Sequence, residues 1–182
     1  SNGTVIRRKM FRMPAEEDCL NHRLNRVRKE MKQGHRHFPA LWASVESLNR
    51  EIAVGTARFI AETAAGFNAD VIVFEHLDPG GRKRGRSRRQ RLHMWKCRDI
   101  QSMVACKAHR LGIRVSHVCA WNTSALAFDG SGKVERGIDR NHSICRFATG
   151  KIYNCDLNAS YNIGARYYIR EILKTMPATA GL

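Results

Sequence analysis

From Pro39 onward, Leu41, Val45, Leu48, Ile52 and Phe59 recur at intervals of three, four and seven, which at 3.6 residues per turn keeps them on one helical face. The spacing predicts a long helix that ends by Gly66. An earlier helix is predicted from Pro14, whose missing N–H costs nothing in a first turn, and Glu16, Glu17 and Asp18 suit the same end of the helix dipole. It should run to about Lys32 and stop near Gly34. Residues 4 to 12 read as a short strand leading into it. Val71-Ile72-Val73-Phe74 is apolar without alternation, the pattern of a central strand covered on both faces, and Glu75 stands at its C-terminal end.

Leu92, Trp95, Ile100, Met103, Val104 and Leu111 mark a further helix, with Gly112 as its C-cap, before a strand from Ile113 to Val118. A helix between two such strands is a βαβ unit, so the strands should pair in parallel. Residues 122 to 143 are polar and Gly-rich and read as loop. Ile144 to Tyr153 can form a hairpin around Thr149-Gly150, and 157 to 175 close the pattern as a helix halted before Pro177. Trp42 and Trp95 fall on apolar helical faces and are expected in the core rather than as stacking platforms.

Composition narrows the function. The 182 residues suffice for one domain, and a 43% hydrophobic content is that of a globular protein. Lys and Arg outnumber Asp and Glu by 32 to 16, a formal charge of +16 that makes a polyanion the natural partner. No run approaches the roughly 18 to 20 apolar residues of a membrane span, and the first residues lack the order of a signal peptide. A soluble, cytoplasmic protein with no membrane partner is expected. The six cysteines are scattered, with no Cys-x-x-Cys pair, so free thiols are expected as well. The absence of an initiator Met suggests a processed or excised piece.

Between Pro79 and Arg91 lie three glycines and seven arginines or lysines, with no core-facing pattern. This basic loop directly follows the Glu75 strand end. Arg82, Lys83, Arg84, Arg86, Arg88, Arg89 and Arg91 are therefore candidates for contacts to phosphates, without base readout, the alternative being a solvated charge run.

The strand Val71 to Leu77, the helix and strand at 92 to 118, the Asn122-Thr123-Ser124 turn and the closing Asp156-Leu157-Asn158-Ala159-Ser160-Tyr161-Asn162-Ile163 together resemble the C-terminal nuclease half of the TnpB family. These are insertion-sequence proteins, also called OrfB or putative transposases, related to type V CRISPR effectors. The resemblance implies an α/β, ribonuclease H-like (RuvC-like) mixed sheet with flanking helices over residues 1–182, lacking its first strand. It also implies RNA-guided cleavage of a DNA target, with guide RNA bound through the full-length protein. Three acids would hold two Mg²⁺ or Mn²⁺ ions, Glu75 matching the second and Asp156 the third. The first acid of the family, in an Asp-x-Gly motif, has no counterpart here, so metal binding by this chain alone should be weak.

Relatives commonly carry a zinc ribbon between the Thr-Ser turn and the last acid. Here Ala127 and Gly130 stand at the first Cys pair, and Ala148 follows Cys145 at the second, so residues 122–155 read as a degenerate ribbon and zinc is not expected. Each acid also has an ordinary alternative. Asp156 could cap its helix and Glu75 could simply face water at a strand end. The rival to a nuclease is a catalytically incomplete nucleic-acid-binding fragment that keeps the basic surface.

Overall fold

Helix α1 spans Pro14–Lys32 and α2 spans Pro39–Gly66, each with its proline in the first turn as the sequence predicts. Glu16 and Glu17 at the start of α1, and Lys29 and Lys32 at its end, complement the helix dipole. Gly34, at φ +84°, turns the chain out of α1 in a conformation that side chains with a Cβ resist. The structure is a computed structural model that describes residues 5–35, 37–76, 88–138 and 141–172, with the side chains of 88–95 and 172 outside the description.

Two compact units divide the chain. One holds α1, α2 and α3, and the other holds Val73–His76 together with the described residues from Val115 onward. In the helical unit, Leu20 and Val27 of α1 meet Val45, Leu48 and Ile52 of α2 in one buried cluster, flanked by Met13, Leu24, Phe38, Leu41 and Trp42. Trp42 is thus a core residue, its ring stacked beside Phe38. Helix α3, Arg88–Arg110, begins four residues before the predicted Leu92, buries Val104 and Ala108, and gives way at Gly112 with φ +70°.

Residues 5 to 12 do not form the strand predicted over 4 to 12. Phe11 stacks on Phe59 with centroids 4.6 Å apart, and Met13 lies where a Cβ on Gly55 would stand, so Phe11 and Met13 pack onto α2 by their side chains. A strand needs a neighbour for its backbone groups, and among the described residues none adjoins it.

Strands β1 (Val71–Glu75) and β2 (Arg114–Val118) form a two-stranded sheet. At one end the Arg114 N–H donates to the Asp70 carbonyl at 3.0 Å, and at the other the His76 N–H donates to the Val118 carbonyl at 2.7 Å. Start meets start and end meets end, so the pair is parallel, as a helical crossover requires. Every residue of β1 is half-buried, not covered on both faces as its apolar run predicts. A two-stranded ribbon leaves each strand an open edge, which keeps the run partly accessible.

A second sheet is an antiparallel meander in the order β3-β4-β5, of Glu135–Arg136, Ile144–Arg146 and Ile152–Asn154. Cys145 faces Arg136 on one side and Tyr153 on the other. Gly150, at φ +83°, makes the predicted hairpin turn. In place of the single mixed sheet expected from the resemblance, the described strands make these two small sheets. Helix α4 follows β5 without a break at Cys155–Tyr167 and widens into a π-helical turn, Tyr168–Ile172. The fold is α/β, and no described helix is long and apolar enough to cross a membrane.

Candidate active site

Glu75 ends β1, and its carboxylate does not simply face water. The buried hydroxyl of Thr123, 2% exposed, donates to Glu75 Oε1. Thr123 sits in the turn after β2, behind Asn122 at φ +57°, a conformation that asparagine tolerates better than most residues. Its Oγ1 also lies 3.2 Å from the Ala120 carbonyl, but a hydroxyl has one proton to give. His76, the next residue along, is exposed and uses its backbone to continue the β1–β2 pairing.

Asp156 lies in the first turn of α4 and is exposed. It is not the cap of its helix. Asn154 takes that position in extended backbone geometry, its Oδ1 accepting from the N–H groups of Asp156 and Leu157, each at 3.0 Å. The Asp156 carboxylate is therefore released from capping while standing where the helix dipole favours negative charge.

Four side chains at i, i+4 spacing join α4 to the segment that carries Thr123. Asn158, fully buried, donates to the Leu126 carbonyl at 2.8 Å and accepts the Phe128 N–H at 2.9 Å. Asn162 donates to the carbonyls of Thr123 at 2.8 Å and Leu126 at 2.7 Å. Arg166 reaches the Cys119 carbonyl at 2.5 Å, and Arg170 reaches the His117 carbonyl at 2.7 Å and Ser116 Oγ at 2.8 Å. As α4 advances, its partners step backward from 128 to 116, so the helix lies antiparallel to β2. The structure thus brings the strand end bearing Glu75 and the helix bearing Asp156 onto one turn, all within the second unit. None of the four was picked out from sequence, although a polar residue every fourth position along a helix is a legible stripe.

At the position of the degenerate ribbon lies a hydrophobic core. Ala127, Cys145, Phe147 and Cys155 are buried together, against Phe128, Val134 and Tyr153. Burial pushes the Cys145 thiol up to about 11, reinforced by its hydrogen bond to Cys155 and offset in part by Arg136. A thiol held protonated is a poor metal ligand, because the thiolate is the ligand form. Phe128, Phe147, Tyr153 and Tyr161 extend the cluster, and the Lys151 ammonium stands 4.9 Å from the Phe128 ring centroid and 5.1 Å from that of Tyr153. Aromatic packing and a lysine lid hold these loops.

Among the described residues, no group of three or more His, Cys, Asp and Glu is placed to hold a metal ion. Of the predicted phosphate contacts, Arg82, Lys83, Arg84 and Arg86 lie outside the described residues. Arg88, Arg89 and Arg91 belong to the start of α3, with side chains outside the description.

No protein-family model matches the chain. It is 26% identical over 168 residues to a TnpB-like protein of Aquifex aeolicus (strain VF5), a match that covers 85% of this chain and 53% of that protein. The chain therefore spans about half the length of this curated relative. In fold it is similar to Cas12f1, solved in a complex with sgRNA and target DNA, with a TM-score of 0.58 and 20% identity over 79% of this chain and 40% of that one.

Proposed function

We propose that this chain, which is similar to a TnpB-like protein, is the nuclease portion of a transposon-encoded, RNA-guided DNA endonuclease of ribonuclease H-like (RuvC-like) fold, acting in the cytoplasm. Residues 1–182 then work as one nuclease domain, with 122–155 as its ribbon-derived insertion. The observation that carries the reading is that the strand ending in Glu75 and the helix carrying Asp156 both engage the Thr123 turn. Asn154 caps α4 in place of Asp156, and the Thr123 hydroxyl donates to Glu75.

Carboxylate oxygens are the donors that hard divalent cations prefer, so Glu75 and Asp156 fit Mg²⁺ or Mn²⁺ in kind. In number they fall short of three, and the chain by itself is expected to bind such ions weakly. Bound there, a pair of ions supplies the means to deprotonate an attacking water and to stabilise the leaving oxygen of a phosphodiester. The protein's part is to hold two carboxylates from distant sequence on one rigid frame. The segment from Arg82 to Arg91 contributes phosphate contacts, which fits a formal charge of +16, and the guide RNA engages the longer protein.

The rival reading, a basic module that binds nucleic acid and cleaves nothing, predicts no dependence of cation binding on these two acids. Titrating Mn²⁺ into the chain while following water-proton relaxation separates the two. Saturable binding that is lost in Glu75→Gln and in Asp156→Asn supports the nuclease. Identical titrations for the parent and both variants overturn it.

A further inference from the structure

The fold invests heavily in the position of Thr123. Its side chain is almost wholly buried, its hydroxyl donates to Glu75, and its own carbonyl is gripped by Asn162 of α4. The turn around it is braced a second time, because Asn158 and Asn162 both donate to the Leu126 carbonyl and Asn158 also accepts the Phe128 N–H. A β-branched residue in such a turn has few rotamers open to it, so the direction of the hydroxyl is set by the backbone.

We propose that Thr123 is a positioning residue that holds the Glu75 carboxylate in its working orientation, registered by Asn162 to the same helix that carries Asp156. This rests on Glu75 being a cation ligand, as proposed above. A glutamate at a strand end has three rotatable bonds, and a carboxylate left to sample them must be ordered each time a cation binds. The Thr123 hydroxyl fixes one oxygen in advance, and α4 fixes Thr123. Outer partners of this kind orient ligands and set metal affinity without touching the metal. The helix that presents one acid thereby also aims the other.

The test compares Thr123→Val, which keeps the shape and removes the hydroxyl, with Thr123→Ser, which keeps the hydroxyl and removes a methyl group. Each is titrated with Mn²⁺ by water-proton relaxation beside Glu75→Gln, and each is checked for its own thermal unfolding transition. Loss of the hydroxyl should weaken Mn²⁺ binding about tenfold or more, the range seen for outer-shell partners, and Thr123→Ser should restore the parent affinity. A merely structural role would lower the unfolding midpoint of Thr123→Val and leave its affinity alone. Should Thr123→Val lose its unfolding transition, Asn162→Ala replaces it and is expected to weaken binding in the same direction. If Glu75→Gln abolishes binding while Thr123→Val, or Asn162→Ala in its place, binds as the parent does, the positioning role is wrong and the nuclease reading stands. If Glu75→Gln binds as the parent does, both fall.

Discussion

Position 154 decides what position 156 is free to do. Asparagine and aspartate cap helices about equally well, and the one that reaches extended backbone geometry at the end of β5 is Asn154, leaving Asp156 inside the first turn of α4. From sequence either could have been the cap, because the choice depends on where the strand stops. Position 145 is decided in a similar way. Its cysteine is fully buried opposite Tyr153, whereas Cys19, Cys106 and Cys119 are exposed. Iodoacetamide at pH 8 should modify those three first, with Cys145 last, as read by peptide mass mapping. Burial holds the Cys145 thiol up to about 11, so little of it is thiolate at pH 8 and its modification should stay slow there. Early modification of Cys145 in the folded chain would mean that the cluster with Ala127, Phe147 and Cys155 is not closed.

Among the elements, α4 shows how a helix can be docked by polar side chains. Its four donors at 158, 162, 166 and 170 all meet backbone or hydroxyl oxygens of the segment from 116 to 126, but they do so at different depths. Replacing Asn158 by Leu strands the buried Phe128 N–H, which should cost ~1–3 kcal/mol in a urea unfolding experiment. Arg170→Ala removes bonds that water can replace, because Arg170 is exposed, and should cost less than ~1 kcal/mol. Equal losses for the two would contradict a docking that depends on burial. The bounds of α1 and α2 were legible beforehand from Pro14, Gly34, Pro39 and Gly66, since proline and glycine act on the backbone they belong to. The docking of α4 was not, because a polar stripe on a helix reads the same whether it faces water or a row of carbonyls.

For the whole molecule the dominant quantity is charge. With 32 basic against 16 acidic residues, association with DNA or RNA should release counterions, and the logarithm of affinity should fall with the logarithm of salt by about 0.7 to 0.9 per phosphate contact. Neutralising Arg84, Arg86, Arg88 and Arg89 together should weaken binding to all sequences alike and flatten that slope, as a fluorescence-anisotropy titration would register. An unchanged slope would return this segment to a solvated run of charge. The unfolding transition is expected to survive the four changes, which introduce no apolar core change.

Sequence alone determined the features written in neighbouring residues. Pro14, the acids after it and Gly34 placed α1, periodicity placed α2 and α3, the Thr149-Gly150 turn placed the β4–β5 hairpin, and the apolar run from Val71 placed β1 with Glu75 at its end. Each depends on interactions within a few residues, or on the backbone preferences of one. Tertiary structure decided what those elements meet. Among the described residues it paired β1 with β2 alone, so that an apolar run expected to be covered on both faces is half-buried, and it packed Phe11 and Met13 on α2 instead of in a sheet. It also packed Phe128, Phe147, Tyr153 and Lys151 together, and gave Glu75 a partner 48 positions away in Thr123. Such contacts join residues whose separation along the chain carries no period, and only the folded backbone brings them within reach.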